Sequence, residues 1–350
     1  MALLHIERNG PLTMYRVAGR LGPSGVLRPR ALAVGAVLVV LAAAAFCAQL
    51  STGSYPVTAA EALRAVFWYG DQATVDVVYR LRLPRALVAL LAGLAFGLAG
   101  AVFQTLARNP LASPDVIGVT GGANTAAVAG MVLGLGAGLG VSTLALLGAA
   151  AGAAAIHVLA WRQGTTGYRI VLVGIGISAL STSATAYLLQ RADLFQAQRA
   201  VVWLTGSVNL RDWGHVAPLA AAVAVLVPAA LALSRSLSTL SLGDETARGL
   251  GVPVQWARSG LLAVAAGLVG FATAAAGPVA FVSLIAPQIA VRLTGGPPSA
   301  PPLFASALTG AVVVLAGDLA AQPWDLPVGV VTGIVGALGL LWLLARANRT

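Results

Sequence analysis

Residues 84–107 decide the fold, and they read PRALVALLAGLAFGLAGAVFQTLA. After Arg85 this stretch carries no charged residue, and it is longer than the ~20 apolar residues with which an α-helix crosses a bilayer. The whole chain has the same character, because 58% of its 350 residues are hydrophobic, 9% are charged and the mean hydropathy is +0.88. This composition excludes a soluble globular domain and predicts an integral membrane protein.

Similar apolar segments recur along the chain and predict an all-α polytopic bundle of about ten transmembrane helices. They span approximately 31–50, 84–107, 115–137, 139–161, 168–190, 214–233, 258–277, 278–294, 303–321 and 327–345. The weakest boundary is Gly277-Pro278, because a single helix through it would leave nine spans. The alternating pattern of a β-barrel is absent, which argues against strands.

The arginines predict the orientation of the chain in the membrane. With ten spans and both termini inside, fourteen of the 21 arginines lie in inner loops and tails, which satisfies the positive-inside rule. We therefore expect a multi-pass protein of the cell membrane with cytoplasmic N and C termini. Its predicted parts are an arginine-rich cytoplasmic tail at 1–30, a transmembrane domain at 31–346 and a C-terminal tail at 347–350. Because the positive charge flanks membrane spans, it does not indicate binding to nucleic acid.

The chain contains no lysine, since all 21 basic residues are arginine. A phosphate-binding P-loop and a Schiff-base cofactor both require lysine, so neither is expected here. If ATP is used, another chain binds it. The single cysteine, Cys47, and three scattered histidines give no pattern for a disulfide or a metal site. We predict no catalytic residue, metal or cofactor in this chain.

The predicted outer end of the second span has an unusual cluster of arginines. Arg80, Arg82 and Arg85 surround Pro84, next to the positive end of the helix dipole and against the orientation rule. An acidic group is expected to compensate them. Lipid headgroup phosphates and an acidic protein surface are both possible partners.

The predicted inner end of the same span is a rigid turn. Gln104 and Arg108 precede Asn109-Pro110, and Pro114 follows four residues later, so a continuous helix is excluded. Asn109 is suited to capping a helix end. A purely structural hairpin explains this turn as well as a functional one does.

The longest predicted inner loop, at about 234–253, has the start and stop signals of a short helix. A helix of about seven residues is not stable alone in water, so the loop is expected to press against a soluble partner or against the chain's own inner surface. Leu242, Ala247 and Leu250 provide a predicted apolar face. The residues of this loop that are predicted to make the contact are Leu242, Gly243, Asp244, Glu245, Ala247, Arg248, Leu250 and Gly251.

Two further features distinguish this chain from a plain bundle, namely a candidate pathway wall and an acid within the membrane. A span interrupted by Pro278 and Pro287 is tolerated where the backbone lines a cavity or is covered by protein. Asp318 is the one acid predicted to lie within the bilayer, where acids are commonly functional. The candidates for a pathway wall are Gln104, Ser178, Thr182, Thr185, Phe281, Ser283, Pro287 and Gln288.

In their order and spacing, these motifs resemble the FecCD-type permease subunits of ABC importers for iron–siderophore, haem and cobalamin. The resemblance runs from about Arg80 to Arg346. It rests on RLPR at 82–85, RNPLASPD at 108–115, LGDETARGLG at 242–251 and LPVG at 326–329. PDVIG at 114–118 and APQI at 286–289 are similar to ferric-siderophore members, notably the enterobactin type.

The resemblance implies a ten-helix permease that pairs with a second permease chain, identical or homologous. It implies that residues 238–251 form a pair of short coupling helices on two ATP-binding cassette subunits, which hold ATP and Mg. It also implies that Arg82 and Arg85 meet acidic residues of an extracellular substrate-binding lipoprotein, and that the substrate is an iron chelate. Gln322 departs from the arginine common in relatives, and residues 336–339 lack the usual proline.

Three other functions stay open from sequence. A haem or cobalamin permease would belong to the same family. A cation-coupled secondary transporter also uses broken helices, although it needs buried carboxylates or histidines and only Asp318 qualifies. An intramembrane enzyme would need paired carboxylates, a Ser/His dyad or a metal cluster, and the sequence contains none of these.

Overall fold

The computed structural model describes residues 4–9, 12–17, 24–27, 29–114, 118–160, 167–297 and 300–347. From residue 29 onward these ranges are helical with short connections, so the predicted all-α fold is confirmed. Three short strands precede the helices, namely β1 (Leu4–Asn9), β2 (Leu12–Val17) and β3 (Ser24–Leu27). They form an antiparallel sheet in the order β1-β2-β3. This sheet lies in the predicted tail, for which no strands were predicted.

The first half of the membrane domain contains eight α-helices in its described ranges. They are α1 (Pro29–Ser51), α2 (Ala59–Val66), α3 (Gln72–Val77), α4 (Leu83–Ala107), α5 (Val119–Val132), α6 (Gly136–Leu139), α7 (Val141–Ala160) and α8 (Gly167–Arg191). A π-helical turn, Val78–Arg82, joins α3 to α4. Helix α1 begins at Pro29, inside the last two residues of the predicted 1–30 tail.

The second half contains eight more α-helices in its described ranges. They are α9 (Leu194–Leu204), α10 (Trp213–Ala232), α11 (Ser234–Leu240), α12 (Asp244–Gly249), α13 (Val254–Ala276), α14 (Val282–Thr294), α15 (Leu303–Ala321) and α16 (Val328–Ala347). A 3-10 turn, Gln322–Trp324, follows α15.

Each of the ten predicted apolar segments contains one helix, namely α1, α4, α5, α7, α8, α10, α13, α14, α15 or α16. Among the described residues, seven helices are long and apolar enough to cross a membrane. Two other segments form shorter apolar helices, within α14 and α16. Helix α5 has 14 residues, which is less than the ~20 of a full crossing.

The boundary at Gly277-Pro278 is a true break. Helix α13 ends at Ala276, Gly277 has φ 73° and Phe281 has φ 64° before α14 begins at Val282. The left-handed backbone at both ends of this turn explains why glycine occupies position 277. The alternative of one merged helix was therefore wrong.

Helix α4 forms the centre of the bundle, where it packs against α10, α13, α14 and α15. Nearly all of its residues from Ala86 to Leu106 are buried. Its glycines allow this close packing, because a Cβ on Gly93 would lie 2.5 Å from the carbonyl oxygen of Gly310 in α15. Small residues at such contacts let helix backbones approach each other in a membrane.

Gly100→Ala is expected to destabilise the bundle, because the added methyl would overlap the carbonyl oxygen of Ser283 in α14. Overpacking of this kind costs about 1–3 kcal/mol. The thermal unfolding midpoint of the purified protein in detergent measures the effect. Gly176→Ala is the matched control, since no atom lies within 4 Å of a Cβ there. Equal midpoints for both variants would contradict the prediction.

Candidate functional site

The predicted inner end of the bundle contains a charged cluster centred on Asp244. The Asp244 carboxylate accepts hydrogen bonds from Arg108 and, at 2.8 Å, from Arg258. Arg108 lies at the end of α4 with φ 50°, Arg258 lies in the second turn of α13, and Asp244 opens α12. One carboxylate therefore joins a short surface helix to two of the most buried helices in the bundle.

This cluster, which we call the Asp244 cluster (Arg108, Asp244 and Arg258), is partly withdrawn from solvent. The side chain of Arg258 is 1% exposed and that of Asp244 is 23% exposed. Burial favours the neutral form of Asp244, but the hydrogen bond from Arg258 and the charges of Arg258, Arg108 and Arg248 outweigh it and lower the pKa of Asp244. The carboxylate is therefore held in its charged form.

The predicted coupling segment folds as two short helices, α11 and α12. Gly243, with φ 115°, makes the turn between them, a conformation that favours glycine. A second positive φ, at Gly251, follows α12. The first helix begins at Ser234, four residues before the start implied by the resemblance.

The sequence predicts one apolar face on this segment, but in the structure its apolar residues do not share a face. Ala247 is fully buried against the chain itself, whereas Leu242 and Leu250 are each 65% exposed. Glu245 and Arg248 are also exposed. Ala247 therefore packs on the chain's own inner surface, because α12 turns one small residue inward and presents longer side chains outward.

The inner turn after α4 takes part in a second polar contact, which involves Gln104 and Gln288. Gln104 donates to the carbonyl oxygen of Leu284 at 2.9 Å and accepts from Gln288 at 2.6 Å, so it links α4 to α14. Gln288 also donates to the carbonyl oxygen of Pro110 at 3.3 Å. Asn109 does not cap a helix. Its side chain accepts from the backbone N–H of Leu111 within the turn.

The remaining turn residue, Pro114, lies at the edge of the described range. The neighbouring Asp115, quoted in the motif at 108–115, lies outside the described residues.

Arg30, the second residue of α1, donates to the carbonyl oxygens of Leu293 and Arg292 at the end of α14, at 2.7 and 3.0 Å. It therefore caps that helix, a role that sequence analysis missed.

The eight predicted pathway residues do not form one surface. Gln104, Ser283 and Pro287 are buried between packed helices, so the structure contradicts their assignment to an open wall. Thr185 is also buried, and its hydroxyl lies 3.1 Å from that of Thr125 in α5. Thr182 is exposed on α8, and Ser178, Phe281 and Gln288 are partly exposed.

At the predicted outer end, Arg85 forms a two-pronged ion pair with Asp318 in α15. The two nitrogen–oxygen distances are 2.8 and 2.9 Å, and the side chains are 22% and 2% exposed. Gln49 of α1 donates to the same carboxylate at 3.0 Å, and Asn209 accepts from Arg85 at 3.2 Å. The acidic group expected beside these arginines is thus within the chain.

Arg82 is also used internally. Its guanidinium donates to the carbonyl oxygens of Leu50 and Tyr55, and the residue is 8% exposed. Gly53 leaves room for it, since a Cβ there would lie 2.9 Å from the guanidinium. These hydrogen bonds hold Arg82 within the chain, so little of the residue is left exposed for the predicted docking role. Arg80, by contrast, is 76% exposed beside Asp76.

Three members of these clusters were not predicted as site residues, namely Gln49, Asn209 and Arg258. Arg258 stood out only as an arginine at the start of an apolar segment. Within the described ranges, no group of three His, Cys, Asp or Glu side chains is arranged to hold a metal ion.

Comparison with known proteins gives consistent similarities over most of the chain. A family model described as the FecCD transport family matches residues 38–346. The ferric enterobactin transport system permease protein FepG of Escherichia coli (strain K12) is 38% identical over 305 residues, which cover 86% of this chain and 92% of the relative. The achromobactin transport system permease protein CbrC of Dickeya dadantii (strain 3937) is 39% identical over 318 residues, 89% of this chain and 90% of the relative.

One solved structure is similar over nearly the whole fold. It is a chain described as a metal-chelate type ABC transporter in an inward-facing conformation, with a TM-score of 0.78 and 26% identity. The alignment covers 89% of this chain and 99% of that chain. The residues matched by the family model, 38–346, include both the Asp244 cluster and the Arg85–Asp318 pair.

Proposed function

Because this chain belongs to the FecCD transport family, we propose that it is the membrane-spanning permease subunit of a binding-protein-dependent ABC importer for ferric siderophores. The relatives named for ferric enterobactin and achromobactin support this substrate class. ATP and Mg would be bound by a separate subunit, which agrees with a sequence that has no lysine and so no P-loop. The chain itself carries out no chemistry on the substrate.

The Asp244 cluster is the observation that carries the proposed mechanism. Leu242, Glu245 and Leu250 are exposed on a segment whose Asp244 is bound to α4 and α13. Two ATP-binding subunits would hold the exposed side chains. When these subunits close, α11 and α12 would move with them, and the Asp244 contacts would transmit the movement to the bundle core.

The wider assembly also belongs to this proposal. A second permease chain, a copy or a homologue, would cover helices whose faces this chain leaves exposed. Helix α8 is a candidate, because only 11% of the residues in its apolar stretch are buried within the chain. Its exposed Thr182, with Ser178 beside it, would then border a pathway between the two chains. Both termini would be cytoplasmic, and a binding protein would dock at the Arg85 end, where Arg80 is the exposed cation of the arginine motif.

Glu245→Arg is expected to prevent association with the ATP-binding subunits and to abolish ATP-driven uptake. The change reverses a charge at the centre of the proposed contact, yet Glu245 is exposed, so folding and insertion are unaffected. Co-purification of the ATP-binding subunits and uptake of radiolabelled ferric siderophore into vesicles measure the two effects. Deletion of residues 243–250 is expected to give the same loss of uptake.

Asp325→Arg is the matched control, because Asp325 is an exposed acid at the opposite end of the bundle. It is expected to leave co-purification of the ATP-binding subunits unchanged. Normal uptake by Glu245→Arg would refute the coupling role. Uptake driven by a proton gradient without ATP would instead favour the secondary transporter, and uptake of haem or cobalamin in place of the siderophore would correct the substrate.

A further inference from the structure

A partly enclosed cavity of about 320 Å³ lies between α4, α5, α7 and α13. Its wall is mainly apolar and includes Phe103, Val119, Ile156 and Leu262, with His157 and Ser259 as its two polar residues. This volume falls at the lower end of the range of about 300–1,000 Å³ found for small-molecule sites, which are typically apolar with a few polar groups. None of these residues belongs to the Asp244 cluster.

The surroundings of the cavity identify the medium that it faces. Helices α7 and α13 both qualify as membrane spans, so their outer surfaces meet hydrocarbon rather than water. The exposed residues at the mouth and on the next turn of α7 are Ala154, Ala263, Val158 and Leu159, all of them apolar. A charged or water-soluble ligand has no favourable route across this surface, whereas a lipid chain does.

Ser259 adds a polar contact at a defined depth. Among the described residues its buried hydroxyl has no hydrogen-bond partner, a state that usually costs free energy. Ser259 lies five residues after the start of α13 at Val254, which is about 8 Å along the helix axis. With Val254 placed at the outer edge of the headgroup layer, this depth corresponds to the boundary between headgroups and acyl chains, where the ester carbonyls of phospholipids lie.

We propose that this cavity binds one acyl chain of a phospholipid from the leaflet at the Arg108 end, and that the Ser259 hydroxyl turns from its buried position toward the cavity to donate a hydrogen bond to the ester carbonyl of the lipid. The apolar wall accommodates the chain, and Ser259 distinguishes an ester-linked lipid from a plain hydrocarbon. The occupied site lies directly beside Arg258, so a bound lipid packs against the helix turn that supports the Asp244 cluster.

Native mass spectrometry of the intact permease complex, released from nanodiscs of phosphatidylethanolamine and phosphatidylglycerol, tests this site. The wild type is expected to retain one phospholipid per copy of this chain after the bulk lipid has been removed. Ala266→Leu and Ala153→Leu fill the cavity and are expected to abolish that retention. Ala43→Leu, on the exposed face of α1, is the matched control and is expected to retain the lipid.

Ser259→Ala tests the polar contact separately. It removes one hydrogen bond, so retention is expected to fall about threefold to tenfold, whereas Ser54→Ala, in the exposed connection after α1, is expected to have no effect. A free fatty acid supplied in place of phospholipid is expected to bind more weakly. Preferential binding of the fatty acid would overturn the assignment to phospholipid.

A direct measurement keeps the test valid if a cavity-filling variant fails to fold. Bromine atoms scatter strongly, so phosphatidylglycerol with brominated acyl chains can be located in a density map of the complex. We expect the bromine density between α7 and α13 in the wild-type complex. Bromine only elsewhere on the surface, or protein from a partner subunit in the cavity, would overturn the proposal. Both readouts are independent of transport, so they stand even if the proposed function fails.

Discussion

Asp244→Ala is expected to uncouple the ATP-binding subunits from transport and to destabilise the protein. The substitution removes the carboxylate that binds Arg108 and the buried Arg258. Breaking a buried pair on one side costs about 3–5 kcal/mol, and we expect about 2 kcal/mol here because Asp244 is partly exposed. Leu242, Glu245 and Leu250 remain available, so the ATP-binding subunits still associate while ATP-driven uptake falls to background.

The neighbouring Glu245→Ala provides the matched control for stability. Glu245 is an exposed acid one residue along the same helix, and its loss is expected to change the unfolding free energy by no more than about 0.5 kcal/mol. Chemical unfolding in detergent, co-purification and vesicle uptake separate the three effects. Full ATP-driven uptake by a folded Asp244→Ala protein would show that the Asp244 contacts do not transmit the movement.

The pH dependence of the same contact follows from the lowered pKa of Asp244. A carboxyl group whose pKa is lower in the folded state adds stability above its unfolded pKa, about 3.9, and loses it as the pH falls through the lowered folded pKa. The difference in thermal midpoint between wild type and Asp244→Asn is therefore expected to be constant above about pH 5. It is expected to shrink at more acidic pH.

The helical bundle could be predicted, because the hydropathy of a segment indicates directly whether lipid or water surrounds it. The pattern also located the break at Gly277, since glycine and proline interrupt helices for local steric reasons. The N-terminal strands were missed, although Leu4 and Ile6 alternate with polar residues as in a strand. The low hydropathy of that region had directed attention to its charge instead.

The pairing of charges could not be predicted, because it depends on contacts between distant parts of the chain. Arg85 and Asp318 are 233 residues apart, and each had been considered alone, one for docking and the other as an acid within the bilayer. Arg82 was assigned an external partner because its backbone acceptors, the carbonyls of Leu50 and Tyr55, have no sequence signature. Similarly, the periodicity around Ala247 did not reveal which neighbours would cover it.

The Arg85–Asp318 pair is expected to give the second large effect. Asp318→Asn or Arg85→Gln leaves one charge in a site where the carboxylate is 2% exposed, and each change is expected to cost about 3–5 kcal/mol. The double variant removes both charges together, so its loss is expected to be smaller than the sum of the single losses by at least about 2 kcal/mol. Chemical unfolding of the four proteins in detergent measures this coupling.

Arg80→Gln is the matched control for this cycle, because Arg80 pairs with Asp76 at 3.4 Å on an exposed helical surface. Such exposed pairs contribute about 0.5 kcal/mol or less. The same proteins also separate structure from docking at the outer end. If Arg85→Gln kept full stability and lost capture of the binding protein, the guanidinium would serve the partner rather than Asp318. If Arg80→Gln alone weakened capture, the exposed cation would be the docking residue and the buried pair would be the frame that holds it in place.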